Sequence, residues 1–179
     1  MASILRHDPP LRRMPVAAPD LTHNKTIVIT IRPAQTSDVP LLFEMLCASG
    51  VDQGFPNSIA VTEPDLLEDG FGPDPRFHCV IAEVDEKPAG MALYFFNYST
   101  WISRLGLYLE DLYVAPGFRR AGVARALLDH LVAIARQRNC RRMQWLVYSG
   151  NEAALQLYRS YGAESQEDWI FMTLRDKLL

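Results

Sequence analysis

Paired cysteines are missing from this chain. The three it has, Cys47, Cys79 and Cys140, are odd in number, far apart and without the close Cys/His spacing of a zinc site. A disulfide framework and a bound metal are therefore not expected, and the thiols read as reduced ones in a cytoplasmic compartment. Long hydrophobic runs are absent too: no stretch approaches the ~20 apolar residues of a membrane span, and residues 1–24 lack the apolar centre of a secretory signal. No Lys/Arg stripe covers a face, and acidic residues outnumber basic ones for a formal charge of -3, which argues against a nucleic-acid partner.

What is present fits one domain: 179 residues, 49% of them apolar. Residues 1–24 carry Pro9, Pro10, Pro15 and Pro19 without periodicity and read as a disordered tail ahead of a domain spanning 25–179. Alternating β-branched residues predict a strand over Thr26–Arg32, stopped by Pro33. Asp38 is placed to cap a helix through Leu41, Leu42, Met45 and Leu46, and a second short helix is expected over Glu63–Asp69. Phe77–Val84 and Ala89–Tyr98 read as a hairpin across Asp85-Glu86-Lys87, followed by a strand over Leu105–Val114.

Behind Ala115-Pro116-Gly117 lies the strongest helix, with Val123, Leu127, Leu131 and Ile134 at helical spacing. Met143–Tyr148 then predicts a strand, Glu152–Tyr161 a helix closed by Gly162, and Trp169–Leu174 a last strand. The order β-α-α-β-β-β-α-β-α-β implies an α/β (α+β) fold, a mixed sheet with helices packed on it.

The chemistry concentrates in Leu109–Leu128, a strand, a tight loop and a helix beginning near Gly122. A helix start offers unpaired N–H groups and the positive end of the macrodipole, hence an anion site. Gly122 and Ala124 let a phosphate approach the backbone, and Arg119, Arg120 and Arg125 bring positive charge, so a pyrophosphate is the natural guest. No Gly-Lys-Ser/Thr follows, which excludes a Walker loop, and two of the three glycines of a dinucleotide fingerprint are missing.

The remaining pattern, Arg119-x-x-Gly122-x-Ala124 after a strand and turn, resembles the signature of the GNAT acetyltransferases. The flanks resemble one branch of that family, the diamine (spermidine/spermine) and thialysine N-acetyltransferases: Ile31-Arg-Pro-Ala, Thr62 to Gly72, Phe77 to Glu83, Tyr108-Leu-Glu-Asp111, Asn151-Glu152 and Tyr158 to Ala163. The likeness runs from Ile31 almost to the C-terminus. It implies a splayed central sheet with helices on both faces and acetyl-CoA as co-substrate. The pantetheine arm would lie between the strands ending near Val114 and Val147, bonded by backbone at Leu112 and Val114, with the pyrophosphate wrapped by N–H groups from Arg119 through Arg120, Gly122 and Val123 to Ala124. Asn151 and Arg159 match family positions near the cofactor, and Tyr158 the tyrosine beside the thioester sulfur. A homodimer is implied as well.

An aliphatic amine has a pKa near 10, so attack on a thioester requires a proton acceptor. Glu110 is the candidate base, acting through water in a direct transfer within a ternary complex. The N–H of Leu112 is the candidate oxyanion donor and Tyr158 the acid for the departing thiolate. Asp111 and Trp169, with Glu110, are candidate substrate contacts. Glu110 and Asp111 are neighbours on a predicted strand, so their side chains belong on opposite faces and share one pocket only across a bulge. A non-catalytic sensor that binds acyl-CoA without turnover is the alternative reading; the presence of Glu110 and Tyr158 argues against it.

One stretch departs from the family pattern. Polyamine-specific relatives carry an acidic run after the first helix, whereas Ala48–Asn57 holds one carboxylate, Asp52. A shorter diamine, or a lysine-, ornithine- or thialysine-like amino acid, suits this chain better than a long polycation.

Overall fold

A computed structural model describes residues 27–174; the tail expected over residues 1–24 lies outside them. Strand β1 (Ile29–Pro33) pairs antiparallel with β2 (His78–Val84), β2 with β3 (Lys87–Ser99), and β3 with β4 (Arg104–Val114). Strand β5 (Arg142–Gln144) joins β4 in parallel, giving the order β1-β2-β3-β4-β5 in one mixed sheet. The β2–β3 hairpin turns on Asp85 and Glu86, both with positive φ (48° and 65°), the backbone that matches the twist of the flanking strands. The parallel β4–β5 pair requires a crossover, supplied by helix α3 (Val123–Gln137).

Cys79–Ala82 and Ala89–Tyr94 are buried without alternation, as strands are when helices cover both faces. Helix α3 lies along β1 to β5 on one side; α1 (Val39–Asp52), with α2 (Glu63–Phe71) beside it, packs on β3 and β4 from the other. The spacing of Val123, Leu127 and Leu131 puts all three into the core at 0–1% exposure, each burial worth about 1.5–3 kcal/mol. Helix α2 begins with a capping box: the Asp65 N–H donates to Thr62 Oγ1 (3.4 Å) and the Thr62 N–H to Asp65 Oδ2 (2.9 Å). The last helix, α4, runs Glu152–Arg159.

Three expectations change. Asp38 precedes α1 but does not cap it with its side chain; its carboxylate instead accepts Arg32 twice (2.7 and 3.0 Å) and the Gln35 N–H (2.8 Å). The strand expected over Met143–Tyr148 stops at Gln144, because beyond that point the chain leaves β4. Trp169–Leu174 forms no strand. A strand needs a neighbour to complete its hydrogen bonds, and no backbone bond joins these residues to any other described residue.

Candidate active site

The parting of β4 and β5 makes the site. Pairing is confined to Gly106–Tyr108 against Arg142–Gln144. From Leu109 onward the edge of β4 facing that side has no strand beside it, so its outward N–H and C=O groups, apart from Val114 O, are left to meet an extended ligand arm. The gap widens into a cleft of about 1210 Å3, walled by Leu109–Val114 on one side and Trp145–Tyr148 on the other.

The start of α3 forms one end of this cleft. Gly122 precedes the helix with φ 88°, a conformation that L side chains adopt at a cost and glycine adopts freely. No side chain caps the helix, and the first of its amides to find a helical carbonyl is that of Ala126, which donates to Gly122 O at 3.0 Å. The amides of Val123, Ala124 and Arg125 therefore have no intrahelical acceptor. The loop arginines differ in their engagement. Arg119 pairs with Asp52 at the end of α1 and donates from Nε to Val114 O at 3.0 Å. Arg125 donates to Ser160 Oγ at 3.2 Å and lies over the Tyr161 ring at 5.3 Å. Arg120, at φ 62°, is exposed and makes neither ion pair nor hydrogen bond among the described residues.

A bulge in β4 resolves the problem posed by adjacent carboxylates. Leu93 pairs with Asp111 and Tyr94 with Leu109, which leaves Glu110 as the extra residue. Glu110 and Asp111 both line the cleft. Glu110 is exposed, whereas Asp111 is largely buried, and burial together with the charge of Glu110 pushes its pKa up to about 6. Across the cleft, the Tyr158 ring lies 4.8 Å from that of Trp145. Burial raises the Tyr158 pKa, so its phenol stays protonated at neutral pH and is able to donate.

The cleft thus brings together Glu110, Asp111, Leu112, Val114, Arg119, Arg120, Gly122, Val123, Ala124, Asn151 and Tyr158. Asn151 also caps α4, its Oδ1 accepting the Ala154 N–H at 3.1 Å. Two expected contacts fall elsewhere. Arg159 is exposed in the last turn of α4, outside the cleft lining, and Trp169 is 66% exposed, edge-on to Trp101 at 5.7 Å. Sequence reasoning missed Trp145 and the contribution of α1 and the turn after it, through Ser49, Gln53 and Phe55. Trp145 was within reach, since it sits in the segment expected to flank the cofactor arm. Phe55 carried no signal, because its approach depends on the turn after α1.

The acetyltransferase (GNAT) family model matches residues 48–163. The chain is 36% identical over 160 residues to the human spermidine/spermine N(1)-acetyltransferase-like protein 1, covering 83% of this chain and 23% of that longer protein. It is 32% identical over 151 residues to the mouse thialysine N-epsilon-acetyltransferase, covering 78% of this chain and 88% of that one. Among solved structures, a crystal structure described as a probable acetyltransferase matches with a TM-score of 0.68 and 25% identity, over 82% of this chain and 97% of that one.

Proposed function

The chain belongs to the GNAT family of acetyltransferases, and we propose that it transfers acetyl from acetyl-CoA to a primary amine of a small cationic metabolite. The acceptors in view are diamines and lysine-, ornithine- or thialysine-like amino acids. The observation that carries this reading is the bulged wall of the cleft, which sets two carboxylates beside the free edge of β4. The residues fit the co-substrate: free amides at the start of α3 suit a pyrophosphate, and the open β4 edge suits an amide-bearing arm. When bound, acetyl-CoA supplies an activated acyl carbon.

The chain's own groups supply the rest. Glu110, exposed at the cleft wall, draws in the ammonium and takes its proton through water, while Asp111 adds negative charge behind it. The N–H of Leu112, at the unpaired part of β4, is aimed to steady negative charge developing on a carbonyl oxygen. Tyr158, held protonated by burial, delivers a proton to the departing thiolate. Asp52 is the single carboxylate between Ala48 and Asn57 and is tied to Arg119, which favours a short acceptor over a long polycation.

The homodimer is part of this proposal. Trp169, Ile170, Phe171, Met172 and Leu174 are 65–83% exposed, five large apolar side chains in a six-residue run that a second copy would cover. So is a cytosolic location, supported by the three unbonded thiols; no helix among the described residues is long and apolar enough to cross a membrane.

The test is CoA release, read with a thiol reagent, across spermidine, spermine, putrescine, diaminopropane, ornithine, lysine, thialysine and an aminoglycoside. Turnover is expected with one of the short diamines or amino acids. Acetyl-CoA binding without turnover on any of them would favour the non-catalytic sensor.

A further inference from the structure

We propose a second anion site at the far end of α3, one that binds small ligands bearing two or more phosphate groups. Residues 136–142 read Arg-Gln-Arg-Asn-Cys-Arg-Arg, four guanidiniums in a seven-residue run of a chain whose net charge is -3. The fold brings a fifth beside them. Arg104, at the start of β4, joins Arg136, Asn139, Cys140 and Arg141 around one concavity of about 540 Å3. This place is separate from the acetyl-transfer cleft, because the length of α3, roughly 22 Å, lies between the two.

Arginine at a helix C-terminus ordinarily serves the last carbonyls. Here the backbone serves three of the last four, those of Ile134, Ala135 and Arg136. With Asn139 at φ 56°, the Cys140 N–H donates to Ala135 O (2.8 Å), Arg138 N–H to Ile134 O (2.9 Å) and Asn139 N–H to Arg136 O (3.0 Å). The side chains of Arg104, Arg136 and Arg141 consequently have no capping task, and among the described residues they make no ion pair and no hydrogen bond. The ion pairs of those residues belong to Arg32, Arg76 and Arg119. Arg138 leans over the Phe96 ring at 5.5 Å. The Arg141 N–H donates to Leu105 O at 3.0 Å, which fixes the post-helix loop against the start of β4 and holds three like charges around one hollow.

Three guanidiniums facing one hollow repel one another, and a counter-anion relieves that repulsion. The planar donor fork of arginine matches phosphate oxygens in pairs. The three positive charges exceed the roughly two negative charges of a single phosphate group, so the ligand that balances them carries at least two. A long polyanion fits poorly, since the cationic patch is confined to one end of a net acidic chain.

The experiment titrates inorganic tripolyphosphate into protein already saturated with CoA, so that the start of α3 is filled, at physiological salt by calorimetry. We expect one saturable event, weakened at least about tenfold in the Arg136→Gln/Arg141→Gln double variant and unchanged in Arg76→Gln, where an exposed arginine elsewhere is removed. In a second measurement, alkylation of Cys140 followed by mass spectrometry is expected to slow when tripolyphosphate is added, while that of Cys47 does not. No saturable binding, binding that survives the double substitution, Cys140 alkylation at an unchanged rate, or tighter binding of a single-stranded RNA than of tripolyphosphate would overturn the proposal.

Discussion

The two halves of β4 differ in the number of their neighbours and in regularity. From Gly106 to Tyr108 the strand is paired on both sides; from Leu109 to Val114 it is paired with β3 alone and carries a bulge. The doubly paired half contains Leu107, wholly buried, and contributes stability. The singly paired half contains Glu110, Asp111 and Leu112 and faces the cleft. A site arises here by withholding a strand: the hydrogen bonds that a second neighbour would use are left for a ligand, and the bulge turns two successive side chains toward it.

That contrast is broken most sharply by Glu110→Gln. Removing the proposed general base is expected to lower turnover by about 10²–10⁴-fold. The deficit should be largest at low pH, because at high pH the amine sheds its own proton. A pH–rate profile parallel to that of the unaltered protein would remove Glu110 from this role. Leu107→Ala acts on the other half: truncation of a fully buried leucine is expected to destabilise by about 2–5 kcal/mol, read by denaturant unfolding, with kcat retained in the folded fraction. Comparable loss of kcat would mean that the two halves are not separable.

How much of this was legible follows from the range of the interaction concerned. The core face of α3 is readable because Val123, Leu127 and Leu131 recur within one helix, and the place of the helix-start loop at the cleft because Gly122 and Ala124 stand beside its arginines. The bulge was posed only as a condition, since Glu110 and Asp111 continue the strand pattern and the register slip is decided by β3. The partner of Arg119 was not legible: Asp52 lies 67 residues away, joined to it only when α1 crosses the sheet. Trp169–Leu174 shows the reverse failure. Its composition predicts a strand, but a strand exists only beside another, and the described chain offers it none.

The smallest expected effect reverses the usual sign. Burial and Glu110 raise the Asp111 pKa to about 6, above the ~3.9 of a free carboxyl. Between those values the folded protein holds a proton that the unfolded chain releases, so this group's contribution to stability declines as pH rises through about 4 to 6 and stays low above. Asp111→Asn removes the charge while keeping the shape. The variant is expected to be more stable than the parent by about 1–3 kcal/mol at pH 8, with little difference at pH 4, measured as paired thermal or denaturant midpoints. Its activity sharpens the comparison between the two carboxylates. If Glu110 alone accepts the proton, Asp111→Asn retains most of kcat and raises KM for the cationic amine; a fall in kcat with KM unchanged would move the base one residue along the bulge.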